Sequence, residues 1–150
     1  MGAIVVDNIS IKSYRIEYEV EFVEEISKIV DFVDDKIIII DSKILDIYKE
    51  FHNHKRLIVI EAKESNKDFL YCYEVIQKIL DLDFKKGQIL CAIGGGIIQD
   101  IVGFVSSILF RGVDWVFVPT TLLSQTDSCI GSKTSINVKN VKNLLGSFYP

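Results

Sequence analysis

Three consecutive glycines, Gly94-Gly95-Gly96, interrupt an apolar run that begins at Cys91 and resumes at helix length from Ile97. A buried strand that breaks there and restarts as a helix presents backbone N–H groups with no Cβ over them. Those groups, together with the positive end of the helix macrodipole, form a seat for a phosphate or diphosphate. The spacing is not Gly-x-Gly-x-x-Gly, because Gln99 stands where the third glycine would fall. On this motif alone, a tight βα turn without a ligand is the other reading. Asp100, in the first turn of the same helix, carries a charge that must be paired or functional, since burying it alone is expensive. A favourable interaction with the helix dipole is compatible with either.

Other polar residues fall at the ends of apolar runs. Asp41 closes one such run and Lys43 follows closely. A carboxylate there either accepts hydrogen bonds from the ribose of a dinucleotide or caps the helix that begins near Ser42. Thr120 and Thr121 follow Pro119, where two hydroxyls either meet a ribose or the nicotinamide region or cap a short helix. His52 and His54 end a Lys-rich surface helix with no Cys or carboxylate cluster beside them, so they read as exposed side chains rather than metal ligands. Cys129 has no neighbouring base in sequence and reads as unreactive.

The elements that position these residues alternate regularly. Lys36–Ile40, Arg56–Ile60, Gln88–Ile93 and Trp115–Val118 read as continuous apolar strands. Ser42–Phe51, Asp68–Leu82 and Ile97–Leu109 read as helices, the last apolar on nearly every face. Strands without internal alternation, separated by helices, predict a parallel sheet covered on both sides: a doubly wound, Rossmann-like α/β domain with its ligand beyond the carboxyl ends of the strands. Before it, Ala3–Val6 and Lys12–Val20 predict an N-terminal β-hairpin around Asp7-Asn8, and Glu21–Val33 a helix. After Thr120, one or two helical turns are expected over Thr121–Asp127, then polar loops at Gly131–Asn137 and Lys139–Asn143. No linker or repeat divides the chain, so residues 1–150 read as one domain.

Composition narrows the classes. With 49% hydrophobic residues, 150 residues fill a real core, and a net charge of −4 argues against a general nucleic-acid binder. Three widely spaced cysteines suggest neither a disulfide framework nor a paired metal site. No apolar run reaches the roughly 18 residues of a spanning helix, and no secretory signal is visible. The expected location is the cytoplasm, with a small-molecule substrate and neither nucleic acid nor membrane as partner.

Taken together, Gly94-Gly-Gly-Ile-Ile-Gln-Asp100, Phe110-Arg-Gly112, Val118-Pro-Thr-Thr-Leu-Leu-Ser-Gln-Thr-Asp127, Gly131-Ser-Lys-Thr134 and Lys142-Asn143 through Gly146 resemble the 3-dehydroquinate synthase family of sugar phosphate cyclases. Glu64-Ser-Asn-Lys67 is a weaker match, where that family carries Gly-Glu-x-x-Lys. The resemblance covers about Asp41 to the end. It implies a phosphate-eliminating carbon–oxygen lyase of the shikimate pathway of aromatic amino acid biosynthesis, with NAD as a recycled cofactor. The implied substrate is 3-deoxy-D-arabino-heptulosonate 7-phosphate, whose hydroxyl is transiently oxidised, phosphate eliminated, the ketone reduced and the ring closed by an internal aldol reaction. A divalent metal, usually zinc, polarises the reacting oxygens in such enzymes. Its Glu and two His ligands lie in a second, helical domain absent from this chain. The chain is therefore expected to be the NAD-binding N-terminal domain, without turnover on its own.

By the same resemblance, the cofactor would be met by Asp41, Lys43, Glu64, Lys67, Gly95, Gly96, Ile97, Asp100, Thr120, Thr121, Lys133 and Lys142. Asp127, Lys133, Lys142, Asn143 and Arg111 form the implied catalytic and substrate set, whose cations suit a substrate bearing phosphate and carboxylate. The arginine matching Arg111 reaches the neighbouring subunit's site in the family, which implies a homodimer. Departures exist: Gln99 replaces a usual glycine, Ser132 also departs from the family pattern, and Val138-Lys-Asn-Val141 replaces His-Pro-Leu-Gly. They keep open a sister cyclase acting on sedoheptulose 7-phosphate or glucose 6-phosphate. A dehydrogenase of the glycerol or iron-dependent alcohol type is opposed by the Pro-Thr-Thr and Lys-Thr blocks, and a stand-alone NAD-binding module is the reading from another class.

Overall fold

The computed structural model describes residues 8–12 and 17–150. Four strands form the central sheet: β3 (Ile37–Asp41), β4 (Leu57–Ile60), β5 (Leu90–Gly94) and β6 (Trp115–Pro119). They lie in the order β4-β3-β5-β6, every neighbouring pair parallel. Each residue of β3 and β5 is buried, as expected of strands covered on both faces. The two-residue period of β3 divides its isoleucines between two cores. Ile37 and Ile39 pack with Ile58, Ile60, Ala92 and side chains of α3 (Phe69–Asp81) and α4 (Gly96–Ile108). Ile38 and Ile40 face the opposite layer with Cys91, Ile93 and Val33, beside α1 (Ile26–Val33) and α2 (Ser42–Ile47). Each fully buried isoleucine is worth about 1.5–3 kcal/mol of transfer free energy. The doubly wound α/β architecture is thus present, with an antiparallel hairpin, β1 (Ile9–Lys12) and β2 (Glu17–Val20), ahead of it. Among the described residues no helix is long and apolar enough to cross a membrane.

From β3 the chain crosses to β4 on one side and then to β5 on the other. The order therefore switches between β3 and β5, and the crevice beyond their carboxyl ends is where open α/β sheets bind ligands. Asp41 ends one of those strands and Gly94 the other.

Several boundaries differ from expectation. Lys12 belongs to β1 and pairs with Glu17 of β2, so the run read as a single strand Lys12–Val20 feeds both arms of the hairpin. Its alternation continues without a break and gave no sign of the division; Ala3–Val6 and Asp7 lie outside the described residues. The first helix starts at Ile26 rather than Glu21, because Phe22 is exposed and adds no buried contact to hold an earlier turn. The helix expected over Ser42–Phe51 is broken at Tyr48 into α2 and a 3₁₀ segment, Lys49–Asn53. The region expected to be helical after Thr121 is helical, at Leu122–Leu123 and then as a short π-helix, Ser124–Ser128.

The largest correction concerns the end of the chain. Much of Gly131–Asn137 and Lys139–Asn143 is strand rather than loop: β7 (Lys133–Val138) and β8 (Val141–Phe148) form a second antiparallel hairpin, with a register shift between Ile136 and Val138, while Gly131-Ser132 and Lys139-Asn140 lie outside the strands. Thr134 and Ile136 are its buried face, against α4. Two glycines allow the approach. A Cβ on Gly103 would lie 2.3 Å from the Thr134 methyl, and one on Gly146 would lie 2.2 Å from the Thr134 carbonyl oxygen.

Candidate functional site

At the glycine turn the backbone sets the geometry. Gly95 is the N-cap of α4, extended at φ −91° and ψ −169°, and no side chain caps it. The first N–H groups of α4 therefore lack an intrahelical acceptor and point to the strand-end rim. The three glycines are not equivalent. A Cβ on Gly94 would strike Ile98 at 2.4 Å, and one on Gly95 would press on the Thr121 methyl at 3.0 Å. One on Gly96 would meet nothing within 4 Å. Gly94 and Gly95 thus serve packing, while Gly96 borders open space.

Around this turn the two threonines divide their roles. The Thr121 hydroxyl lies 2.8 Å from Ser124 Oγ and accepts from Ser124 N at 3.2 Å, at the head of the helical segment that begins at Leu122. Thr120 N donates to Gly94 O at 2.9 Å, tying β6 to the glycine turn, and its hydroxyl is buried without a partner among the described residues. Asp41 accepts from Lys43 N at 3.2 Å and so caps α2; as a carboxylate it keeps acceptor capacity for a further donor. Lys43 itself is exposed.

A polar network fastens the second hairpin beside this rim. Lys67 Nζ lies 2.7 Å from Asp100 Oδ2, with side chains only 9% and 21% exposed, and donates to Asn143 Oδ1 at 2.7 Å. The other Asp100 oxygen accepts from Ser135 N at 2.8 Å. Asn137 N donates to Lys67 O at 2.7 Å, its side-chain amide donates to Glu64 Oε1 at 2.9 Å, and its carbonyl oxygen accepts from Asn143 N at 2.9 Å. Asn143 adopts φ 54°, a left-handed conformation that asparagine tolerates better than most residues. Lys142 stands 4.0 Å from Glu64 Oε1 with its side chain mostly exposed. The structure thus unites Glu64, Lys67, Asp100, Lys142 and Asn143 in one cluster. Ser135 and Asn137, which the sequence had consigned to a loop, bind it together; the alternation of Thr134 and Ile136 was the signal for their strand.

A second locus lies between the two hairpins. Lys12 and Tyr18 of the first and Asp127, Gly131, Ser132 and Lys133 of the neighbouring segment line a groove of about 420 Å³. The Tyr18 hydroxyl donates to Ile130 O, and burial, helped by nearby Cys129, pushes its pKa up. On the other side Gln99, 3% exposed, donates to Ser128 O at 2.5 Å. Arg111 joins neither locus. It lies exposed just past the C-terminal end of α4, about 20 Å from the glycine turn at 1.5 Å per residue, at φ 68°.

The remaining candidates have structural partners. His52 and His54 each lie 3.1 Å from a backbone carbonyl oxygen, of Leu45 and Val33. The Cys129 thiol donates to Gln125 O, and burial raises its pKa. Burial pushes the thiols of Cys72 and Cys91 up to about 12. Among the described residues no three His, Cys, Asp or Glu side chains gather as a metal site.

Comparison with known proteins places this geometry in context. The family model described as 3-dehydroquinate synthase N-terminal matches residues 57–150. A 3-dehydroquinate synthase of Clostridium tetani is 40% identical over 116 residues, covering 77% of this chain and 31% of that protein. One from Helicobacter pylori strain HPAG1 is 36% identical over 144 residues, covering 92% of this chain and 40% of that protein. The chain thus spans well under half the length of these relatives. Among solved structures, 2-epi-5-epi-valiolone synthase from Streptomyces hygroscopicus, with NAD+ and Zn2+ bound, is 33% identical with a TM-score of 0.71, over 77% of this chain and 34% of that one. A 2-deoxy-scyllo-inosose synthase shares the fold at a TM-score of 0.82 and 24% identity, covering 96% of this chain and 45% of that one.

Proposed function

The chain belongs to the 3-dehydroquinate synthase family, and on that premise we propose that it forms the NAD-binding part of a cyclase converting 3-deoxy-D-arabino-heptulosonate 7-phosphate to 3-dehydroquinate and phosphate. The observation that carries this reading is the uncapped start of α4 at the switch point of the sheet, open beyond Gly96 and bordered by the unpartnered hydroxyl of Thr120. A dinucleotide fits these features. Its diphosphate would take the N–H groups of Gly95, Gly96 and Ile97, while Thr120 would satisfy its hydroxyl on a ribose or the nicotinamide amide. Asp41 would accept from the adenosine ribose, with Lys43, Glu64 and Thr121 around the cofactor. NAD, when bound, supplies a hydride acceptor that later returns the hydride. NAD+ in the similar valiolone synthase supports this assignment.

The chain's own residues supply binding and orientation. Lys67 and Asp100, fixed by each other, present a rigid polar wall near the cofactor, and Lys142 and Asn143 stand at its edge. Asp127 would hold substrate hydroxyls and Lys133 a substrate anion, Lys133 and Lys142 also reaching the cofactor. Arg111, remote from both loci of its own chain, is suited to act across a homodimer interface. The Zn2+ of the valiolone synthase supports a divalent metal here too, held by residues outside this chain, so turnover is assigned to the full-length cytoplasmic lyase and not to residues 1–150 alone.

Full-length protein supplied with NAD, zinc and the heptulosonate phosphate should release inorganic phosphate. The second reading, a sister cyclase, draws on the similarity to valiolone synthase and on Gln99. Release with sedoheptulose 7-phosphate or glucose 6-phosphate but not with the heptulosonate would select it, and release with none of the three would discard both.

A further inference from the structure

We propose that Gln99 is a positioning residue for the substrate side of the site: its side-chain amide clamps the segment that carries Asp127 onto α4. Ser124–Ser128 is wound as a π-helix, a rare conformation that concentrates at functional sites. Like any helix, it ends in carbonyls without intrahelical partners. Asp127 O is satisfied from within the segment, accepting from Ile130 N and Gly131 N, each at 3.2 Å. Ser128 O accepts from Gly131 N at 3.2 Å and, from outside the segment, from Gln99 Nε2 at 2.5 Å. That acceptor fixes the amide's orientation, since the reversed amide would set two oxygens against each other. The backbone N–H of Gln99 also closes the first turn of α4 on Gly95 O, at 3.1 Å. One residue thus joins the helix start at the glycine turn to the neighbour of Asp127, whose exposed side chain lines the groove.

Stability alone does not account for a glutamine here. The residue is 3% exposed, and its Oε1 is buried without a partner among the described residues. An unsatisfied buried carbonyl is a net cost to folding. An apolar side chain of the same length would fill the space without that cost, and Ser128 O would keep Gly131 N as a donor. What the amide adds is the bond across to Ser128. That bond holds the end of the π-helix at a fixed distance from α4, and with it the direction of the Asp127 carboxylate. The inference rests on the cyclase reading only for what that carboxylate holds, the hydroxyls of a sugar phosphate.

The test is Gln99→Met in the full-length protein, assayed with NAD, zinc and whichever sugar phosphate the native protein turns over. KM for the sugar phosphate should rise about five- to tenfold with kcat within about twofold, the mark of lost binding that ground and transition states share. NAD affinity, by calorimetry, should be unchanged, and the melting temperature unchanged or higher. Amide hydrogen exchange at Cys129, Ile130 and Gly131 should quicken about tenfold, while Gln125 N, bonded to Thr121 O, keeps its rate. Native KM in the variant would overturn the proposal. So would a rise in KM matched by losses of NAD affinity and melting temperature, which would make Gln99 a structural residue. Should the native protein release phosphate from none of the sugar phosphates, the cyclase reading falls and exchange alone decides. Quicker exchange confined to residues 129–131 would then leave the clamp standing, and native rates would remove it.

Discussion

The ammonium of Lys67 lies 2.7 Å from the carboxylate of Asp100, although one residue follows β4 and the other, expected in the first turn of its helix, sits at the fifth residue of α4. Their pairing joins both crossovers to the second hairpin, since the same two side chains also hold Asn143 and Ser135 N. Removing one partner leaves the other charged and largely buried. Asp100→Asn or Lys67→Met should therefore cost about 3 kcal/mol, measured by urea denaturation. Replacing both together with apolar residues should cost less than the sum of the two.

The glycines at the turn should separate packing from binding. Gly94→Ala places a methyl against Ile98 and should lower the melting temperature clearly. Gly96→Ala meets no protein atom, so stability should hold or rise by up to about 1 kcal/mol. Its methyl would stand in the space assigned to the diphosphate, and NAD affinity, read by calorimetry on full-length protein, should fall at least about tenfold, or about 1.4 kcal/mol. Native affinity in Gly96→Ala would contradict that assignment.

Thr120→Val removes a buried hydroxyl that has no partner among the described residues. Losing an unsatisfied polar group is neutral or favourable in the protein alone, by up to about 1–3 kcal/mol. The same change should weaken NAD binding, so stability and affinity should move in opposite directions. Thr121→Val should instead destabilise by about 1 kcal/mol, because its hydroxyl caps the helical segment that begins at Leu122 by accepting from Ser124 N.

Gly103→Val sets a side chain where the Thr134 methyl and the Trp115 ring already lie, at 2.3 and 3.1 Å from the position of a Cβ. It should lift β7–β8 off α4 at a cost of about 1–3 kcal/mol. Hydrogen exchange should show the loss concentrated at Ser135 N and Asn137 N, which are bonded to Asp100 and Lys67.

What could be read from residues alone follows from how local the causes are. Ile37–Ile40 and the run from Cys91 to Ile93 have no polar break, so a doubly covered sheet was the only economical reading. The glycine turn declared itself because three residues without a Cβ between two apolar runs have few other uses. Hairpin β7–β8 was hidden by its polarity. Ser135, Asn137 and Asn143 are satisfied by Asp100, Lys67 and Glu64, and those long-range bonds leave no trace in local spacing. Asp41 offered two roles, and the structure displays the cap while the ribose contact remains to be tested with the cofactor. The distance of Arg111 from the rim follows from the length of α4, and only its expected role across subunits came from resemblance.

The most direct measurement is the structure of the full-length protein with NAD. The account predicts the diphosphate within hydrogen-bonding distance of the N–H groups of Gly95, Gly96 and Ile97, with the Thr120 hydroxyl bonded to the cofactor. A dinucleotide lying away from the carboxyl ends of β3 and β5, or a full-length protein that binds no NAD, would contradict it.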